Sequence, residues 1–338
     1  MQETKVTLNT IANILGVTKV TVSKALNNQP GVSEELKKKI IQTSIEVGYK
    51  PKSSVKASKS VTKLGIMVPK RFFLDTDNFY TRIYYYMNQE CAALNVTLSL
   101  YVLDPEEEKQ LTLPHSFVHE MDELNGLFLA GEINEAYINS LTSHTFPIVA
   151  IDFYKPELTL DSILSDNFQA GFTVTKYLYD RGHRRIGFVG NPLYTSSVMD
   201  RYCGYMKALT AYGLEFKPHW NVVNNDEHGS YLIDFELPAD MPTAFVCHCD
   251  MAAYKLLLKL QSEGISVPDQ VSIISFDNTD LSKTLVPALT SMDISKQNFA
   301  KEAVHLMLWR TDNPNNSARN IYLKSKLIER DSVHFLNA

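Results

Sequence analysis

Ten lysines among the first 60 residues are the most concentrated chemical feature of this sequence. The same segment holds four acidic residues, which gives it a charge of +6, whereas the whole 338-residue chain has a net charge of −5. The remainder of the chain therefore carries −11. A basic segment on an acidic body indicates a polyanion as the partner of that segment, although a solvated lysine-rich face would give the same balance.

Polar side chains that suit a small polyol lie near several short apolar runs in the rest of the chain. They are Asp152, residues 195–197, Cys249-Asp250 and Asp277-Asn278. If the apolar runs are parallel strands, their carboxyl ends share one edge, and we expect these side chains around one cleft. Carboxylates offer paired acceptors to the vicinal hydroxyls of a sugar, and an arginine offers paired donors.

The run Cys247-His248-Cys249-Asp250 raises the question of a metal site. Neighbouring strand residues alternate between the two faces of a sheet, so these four side chains cannot converge on one ion, and the sequence has no second Cys/His cluster nearby. We therefore predict neither a metal nor a cofactor. The sequence also lacks a phosphate-binding loop, a dinucleotide fingerprint, a nucleophile triad and a spaced carboxylate pair, so we predict that the protein is not an enzyme.

Bulk composition places the chain among globular proteins. It is 44% hydrophobic and 21% charged, and its four cysteines are too scattered for a disulfide framework. The polar N-terminus does not look like a secretory signal, and no apolar stretch is long enough to span a membrane. These features predict a cytoplasmic protein without a membrane partner.

The spacing of apolar residues predicts that the basic segment is helical. Apolar residues recur at helical spacing from Leu8 to Leu15, with Thr7 as N-cap and Gly16 as terminator. A short turn then leads to a second amphipathic helix that Thr18 can cap. Ser33 can cap a third helix, which Gly48 ends. Two short helices around a glycine turn, followed by a supporting helix, form a helix-turn-helix arrangement.

Residues 7–12 (TLNTIA), 16–27 (GVTKVTVSKALN), 32–33 (VS) and 48–51 (GYKP) resemble the LacI (lactose repressor/galactose repressor) family of bacterial helix-turn-helix transcriptional regulators. The resemblance implies that the second helix enters the DNA major groove. It assigns base contacts to Lys19, Val20 and Lys24. It assigns phosphate contacts to Thr18, Thr21, Ser23 and Asn27. Lys24 stands where the family usually has arginine, so discrimination of guanine should be softer.

Residues 52–62 form a Lys/Ser-rich linker. In the family this stretch becomes a hinge helix on DNA and inserts a leucine into the minor groove. Lys56 fits the family pattern of DNA contacts, but the leucine position is occupied by Ser58. Serine cannot act as an apolar wedge, so either Val55 replaces it imperfectly or the operator is bent less than is usual in the family.

From Lys63 onward, short buried-strand runs alternate with helical patterns. This alternation predicts an α/β body of parallel sheets flanked by helices, in two successive units, behind the all-α N-terminal domain. The resemblance to the family continues through residues 181–190, 200–205, 267–272, 276–278 and 286–291. It implies a two-lobed body similar in fold to periplasmic sugar-binding proteins.

The resemblance also implies domain boundaries. The helix-turn-helix domain would take residues 1–51, the hinge 52–62, and the effector-binding and dimerisation domain 63–338. Within the last of these, one lobe would take about 63–161 and 291–322. The other lobe would take about 162–290 and 323–338.

The resemblance and the strand-end argument together nominate eight ligand-binding residues. Asp152, Arg201 and Asp277 would be the polar anchors, with Ser197 beside them. Phe79 and Tyr80 would supply an aromatic wall, and His228 would line the cleft. Cys249 stands where the family commonly has asparagine, and a thiol cannot make the paired hydrogen bonds of an amide, so the preferred ligand should differ.

These features predict a ligand-responsive repressor of a carbohydrate-utilisation operon. Its partners would be a palindromic double-stranded DNA operator, a second copy of the chain, and a small carbohydrate such as a disaccharide or glycoside. A purine or nucleoside is the alternative effector. An alternative of another class is a sugar-acting enzyme, or a transport binding protein, with a fused DNA-binding arm.

Overall fold

A computed structural model describes residues 6–26, 31–47, 49, 61–74, 78–142, 144, 146–226, 229, 231–232 and 234–336. The chain divides into two compact units, Met1–Ser60 and Val61–Ala338. The expected order of an all-α N-terminal unit and an α/β body is confirmed.

The described residues of the N-terminal unit form three helices: α1 (Leu8–Leu15), α2 (Lys19–Leu26) and α3 (Glu34–Glu46). Gly16 ends α1 in the left-handed conformation, with φ of 63°, and so turns the chain sharply toward α2. Thr18 caps α2, because its Oγ1 accepts a hydrogen bond from the Thr21 amide at 3.1 Å. The three helices enclose a small core of buried apolar residues: Ile11, Ala12, Val22, Ala25 and Ile40.

Twelve strands are present in the part of the body that the structure describes: β1 (Thr62–Pro69), β2 (Val96–Leu103), β3 (Gly126–Ala130), β4 (Ile148–Ile151), β5 (Asp161–Ser165), β6 (Ile186–Val189), β7 (Asn221–Val222), β8 (Ala244–Cys247), β9 (Ser272–Phe276), β10 (Thr290–Asp293), β11 (Asn320–Leu323) and β12 (Lys326–Ile328). Its helices are α4 (Lys70–Phe73), α5 (Phe79–Ala93), α6 (Pro105–Gln110), α7 (His115–Glu120), α8 (Glu135–Leu141), α9 (Asn167–Asp180), α10 (Ser196–Ala211), α11 (Asp250–Ser262), α12 (Asp280–Thr284) and α13 (Lys296–Asp312).

The strands form two six-stranded sheets with the same layout. The first sheet has the order β11-β5-β4-β3-β1-β2, and the second has the order β12-β10-β9-β8-β6-β7. All pairings are parallel except that of β10 with β12. Strands such as β3 and β8 are buried along their whole length, as expected where helices cover both faces. We call the first sheet with its helices lobe one, and the second lobe two.

The chain passes between the lobes three times. The crossings fall after Ser165, after Asp293 and after Leu323, each slightly later than the expected lobe boundaries. The first crossing follows β5, which begins with a buried aspartate, Asp161, whose carboxylate pairs with Arg310 of α13 at 2.8 Å. A strand with polar ends does not show the continuous apolar pattern of strands such as β3 and β8.

None of the helices in the described ranges is long and apolar enough to cross a membrane.

Candidate functional site

A cavity of about 80 Å³ lies where loops from both lobes meet, at the carboxyl ends of the strands. Seven of the eight nominated ligand residues line it: Phe79, Tyr80, Asp152, Ser197, Arg201, Cys249 and Asp277. The eighth, His228, lies outside the described residues. The structure therefore brings together side chains that are separated by almost 200 positions in the sequence.

Arg201 is the most firmly held polar side chain of the cavity. It projects from α10 and is only 3% exposed. Its Nε donates to Asn167 Oδ1 at 2.8 Å, its Nη1 to the carbonyl oxygen of His248, and its Nη2 to Asp277 Oδ1 at 3.1 Å. Each of the three guanidinium nitrogens thus has an acceptor, which fixes the orientation of the fork.

Asp277 follows β9 in a strained turn. Its φ is 91°, and that of the next residue, Asn278, is 44°. Asp250 holds this turn, because its Oδ2 accepts from the amide and the hydroxyl of Thr279 at 2.6 and 2.9 Å. Its Oδ1 accepts from the hydroxyls of Ser275 and Ser291. Burial raises the pKa of Asp250, while these donors favour its ionised form.

Asp152 follows β4 and enters the cavity from lobe one. It also has a left-handed backbone, with φ of 65°, and it is 5% exposed. Its Oδ2 accepts from the Tyr80 hydroxyl at 2.9 Å, but its buried Oδ1 has no hydrogen-bond partner among the described residues. Burial raises the pKa of Asp152 to about 7; Arg201 opposes this rise and the charge of Asp277 adds to it.

Aromatic rings from both lobes cover the cavity. Phe79 and Tyr80 meet edge to face with ring centroids 5.0 Å apart, as expected for an aromatic wall. Phe72 lies between Tyr80 and Tyr194, with ring centroids 5.7 and 5.8 Å away. Sequence reasoning missed Phe72 and Tyr194; the available signal was their position a few residues after β1 and β6.

Cys249 caps α11 with its sulfur. Its Sγ accepts from the Ala252 amide at 3.4 Å and lies 2.9 Å from the Tyr231 hydroxyl. The same hydroxyl lies 3.1 Å from His248 Nε2. Burial lowers the pKa of His248 to about 4, so the ring is neutral at neutral pH. Within the described part of the chain, no group of three His, Cys, Asp or Glu residues is arranged to hold a metal ion.

Six of the eight nominated DNA-contacting residues lie on or next to α2. Lys19, Val20 and Lys24 are exposed, and Val20 is 63% exposed although it is apolar. Thr18 and Thr21 lie at the N-terminus of α2, with their hydroxyls 2.8 Å apart, and Ser23 is partly buried. Asn27 and Lys56, together with residues 51–60 of the linker, lie outside the described residues.

Comparison with known families matches both units. Residues 7–52 match bacterial regulatory proteins of the lacI family, and residues 175–333 match a periplasmic binding protein-like domain. Similar proteins include the ribose operon repressor of Haemophilus influenzae, which is 26% identical over 98% of this chain and 99% of its own length. The HTH-type transcriptional repressor PurR of Photobacterium profundum is 27% identical with the same coverage.

Solved structures show the same fold. The transcriptional regulator CelR in complex with cellobiose aligns with a TM-score of 0.69 at 21% identity, covering 97% of this chain and 99% of that one. The lac repressor dimer bound to operator and the anti-inducer ONPF aligns with a TM-score of 0.67 at 18% identity, covering 98% and 100%.

The matches extend through the helix-turn-helix unit and the two-lobed body, and they agree with the geometry of both. DNA-binding repressors act on the chromosome, which places such a protein in the bacterial cytoplasm, and the similar proteins are regulators rather than enzymes. The chain thus joins a helix-turn-helix domain of the lacI family of bacterial regulatory proteins to a periplasmic binding protein-like body, which is the organisation of a ligand-responsive DNA-binding repressor.

Proposed function

We propose that this repressor controls a carbohydrate-utilisation operon and that a small sugar in the interlobe cavity changes its affinity for the operator. The observation that carries this proposal is the buried Asp152 Oδ1, which lacks a partner among the described residues, in a residue that lines the cavity together with Arg201 and Asp277. A buried acceptor without a donor is costly, and a ligand hydroxyl removes that cost. A sugar supplies hydroxyl donors for Asp152 and Asp277 and hydroxyl acceptors for Arg201.

The size of the cavity favours a single sugar ring over the disaccharide or glycoside suggested by the sequence. Its volume of about 80 Å³ is small beside the roughly 300–1,000 Å³ of sites that hold drug-sized ligands. Phe72 and Tyr194 both line it, with ring centroids 5.8 Å apart. The repressor of a ribose operon among the similar proteins makes D-ribose the first probe to use.

A purine effector is the second candidate. The rings of Phe72, Tyr80 and Tyr194 offer faces on which a planar base could stack. The PurR repressors among the similar proteins support the same possibility. Against it, a base presents fewer hydroxyl donors to Asp152 than a sugar does.

DNA recognition is proposed to use the exposed face of α2. Lys19, Val20 and Lys24 would contact base edges, while Thr18, Thr21, Ser23 and Asn27 would bind phosphates and set the register. Lys56, in the proposed hinge (52–62) that joins the DNA-binding domain (1–51) to the effector-binding and dimerisation domain (63–338), would add a further DNA contact. One short helix reads few base pairs, so a homodimer on a palindromic operator is the proposed active form.

In this proposal, sugar binding and DNA binding are coupled because each favours one of two states of the dimer. A ligand that binds one arrangement of the lobes better than the other favours that arrangement, and with it one spacing of the paired DNA-binding units. Whether the sugar releases the operator or strengthens its binding follows from which state it prefers.

Two measurements test the proposal. Thermal shifts of the full chain are recorded with D-ribose, D-glucose, cellobiose and hypoxanthine; we expect a monosaccharide to raise the melting temperature. DNA selected from a random library by the purified chain is then used in gel shifts with and without that sugar, and we expect the shifted fraction to change. Stabilisation by hypoxanthine alone would support the purine candidate, and recovery of a chemically altered sugar would contradict a regulator that only binds.

A further inference from the structure

Glu132 connects the two lobes from a position outside the cavity. It lies in lobe one, shortly after β3, and is not among the residues that line the cavity. Its Oε2 accepts two hydrogen bonds from lobe two, one from the Ser196 amide and one from the Ser196 hydroxyl, both at 3.0 Å. Ser196 is the first residue of α10, and its neighbours Thr195 and Ser197 line the cavity.

Lobe one holds the Glu132 carboxylate in place. Its Oε1 forms an ion pair with Lys155, and the two side chains are only 15% and 22% exposed. The Glu132 carbonyl accepts from Arg71 Nη2 at 2.7 Å, and Arg71 is itself paired with Glu108 at 2.5 Å. The carboxylate is therefore already oriented toward the position that α10 occupies.

The N-terminus of α10, which Glu132 contacts in lobe two, favours a negatively charged partner. α10 is 16 residues long and its first four residues are Ser, Ser, Val and Met, so Glu132 supplies a negative charge at the N-terminus of the helix. The Ser196 hydroxyl also lies 3.4 Å from the Tyr154 amide of lobe one. Two segments of lobe one thus converge on the first turn of α10: Glu132 and Tyr154 contact Ser196 directly, and Lys155, next to Tyr154, holds the Glu132 carboxylate.

A second bridge between the lobes provides a contrast. Asp280 Oδ2 of lobe two accepts from Asn78 Nδ2 at 3.0 Å and from Arg82 Nη2 at 2.8 Å. The Arg82 and Asp280 side chains are 46% and 50% exposed, so water and salt screen this pair. The Glu132 contact is much less exposed, and its hydrogen bonds are correspondingly stronger.

We propose that Glu132 is a latch for lobe closure: a positioning residue that stabilises the arrangement in which the two lobes meet, and so raises effector affinity without touching the effector. Apparent affinity scales with the fraction of molecules in the binding-competent arrangement. Loss of two hydrogen bonds to a carboxylate should lower the closed fraction, and weaken binding, roughly tenfold. The affinity part of this inference rests on the sugar proposed above.

The test compares Glu132→Ala, Glu132→Gln, Ser196→Ala and the double variant Glu132→Ala/Ser196→Ala with Asp280→Asn as the control, all in the full chain. Hydrogen exchange of the free proteins is followed by mass spectrometry, and D-ribose affinity is measured by calorimetry. We expect Glu132→Ala to expose the first turn of α10 to exchange and to weaken D-ribose binding roughly tenfold. Glu132→Gln, which keeps one acceptor oxygen, should recover part of both effects.

The contact itself is tested by non-additivity. The double variant should bind D-ribose little worse than Glu132→Ala alone, because the Ser196 hydroxyl has already lost its acceptor and keeps only the longer contact of 3.4 Å with the Tyr154 amide. Asp280→Asn should stay within about twofold of wild type. Wild-type exchange at α10 in Glu132→Ala would overturn the latch. If the wild-type protein binds no D-ribose, the sugar proposal fails, and the exchange data still decide on the latch.

Discussion

Two aspartates occupy the same position in the two sheets of the body and meet different surroundings. Asp152 follows β4 and Asp277 follows β9, each the third strand in the order of its sheet, and both have left-handed backbones. Asp277 is paired with Arg201, which Asn167 and the His248 carbonyl also hold. Asp152 has only the Tyr80 hydroxyl on one oxygen, and burial raises its pKa to about 7.

The difference shows how a repeated fold can build an asymmetric site. In lobe two, Arg201 and Asp277 are hydrogen-bonded to each other, so both side chains are held in place before a ligand binds. In lobe one, a carboxylate is buried with one acceptor unsatisfied, which is destabilising for the protein and favourable for binding a hydrogen-bond donor. Lobe two is thus a preassembled half of the site, and lobe one carries the unsatisfied acceptor for the ligand.

The largest expected effect comes from removing the rigid half. Arg201→Met leaves Asp277 buried without its cation, and breaking a buried ion pair in this way costs about 3–5 kcal/mol. We expect the free energy of unfolding, measured with urea at pH 7.5, to fall by that amount, together with loss of sugar binding. Arg201→Lys serves as the milder variant, since it keeps the charge and loses the fork. Wild-type ligand affinity in a folded Arg201→Lys protein would contradict the assigned role of Arg201.

The two aspartates should respond to the same substitution with opposite signs. Asp277→Asn leaves the buried Arg201 without full compensation and should destabilise the protein by about 1–3 kcal/mol. Asp152→Asn replaces a carboxylate that burial disfavours and should stabilise it at pH 8 by about 1–2 kcal/mol. Both changes should weaken sugar binding. Urea unfolding at pH 8 measures the free energy of unfolding of both variants. Destabilisation by both would contradict the proposed difference between Asp152 and Asp277.

Much of this architecture can be predicted from the sequence because parallel sheets leave strong local patterns. Buried strands such as β3 and β8 are continuous apolar runs, and Gly16 and Thr18 mark the turn between α1 and α2. Short or polar strands, including β5 and β7, lack that pattern and were missed. The unpaired oxygen of Asp152 could not be predicted either, since it depends on the packing of residues far apart in the chain.

The pH dependence of stability should separate the two aspartates further. The folded-state pKa of Asp152, about 7, lies above its ordinary value of 3.8, so the folded protein holds a proton that the unfolded chain releases. The stabilisation linked to this proton is fully present below about pH 4 and is lost as the pH rises through 7. Between pH 5 and 7, we expect wild type to lose stability relative to Asp152→Asn by up to roughly 1.4 kcal/mol per pH unit.

The control for this measurement is the variant itself. His248, whose pKa is lowered to about 4, titrates in both proteins, and its contribution therefore cancels in the difference. The effect of His248 on stability also has the opposite sign. Because its folded-state pKa is lowered, the protein loses stability as the pH falls below the pKa of histidine in the unfolded chain. Parallel stability curves for wild type and Asp152→Asn would show that Asp152 does not titrate in this range.

The smallest expected effect concerns the helix caps that follow β3 and β8. In lobe one, Asn134 caps α8 through an oxygen that accepts from the Ala136 amide at 2.8 Å; in lobe two, Cys249 caps α11 through a sulfur at 3.4 Å. Sulfur is a weak acceptor, so Cys249→Ser should stabilise the protein by about 0.5 kcal/mol. Asn134→Ser should change little, since Asn and Ser cap equally well. Urea midpoints of both variants measure the effect. A loss of stability in Cys249→Ser would mean that the contact between Sγ and the Tyr231 hydroxyl matters more than the cap, and that the thiol is retained for the cavity rather than for the helix.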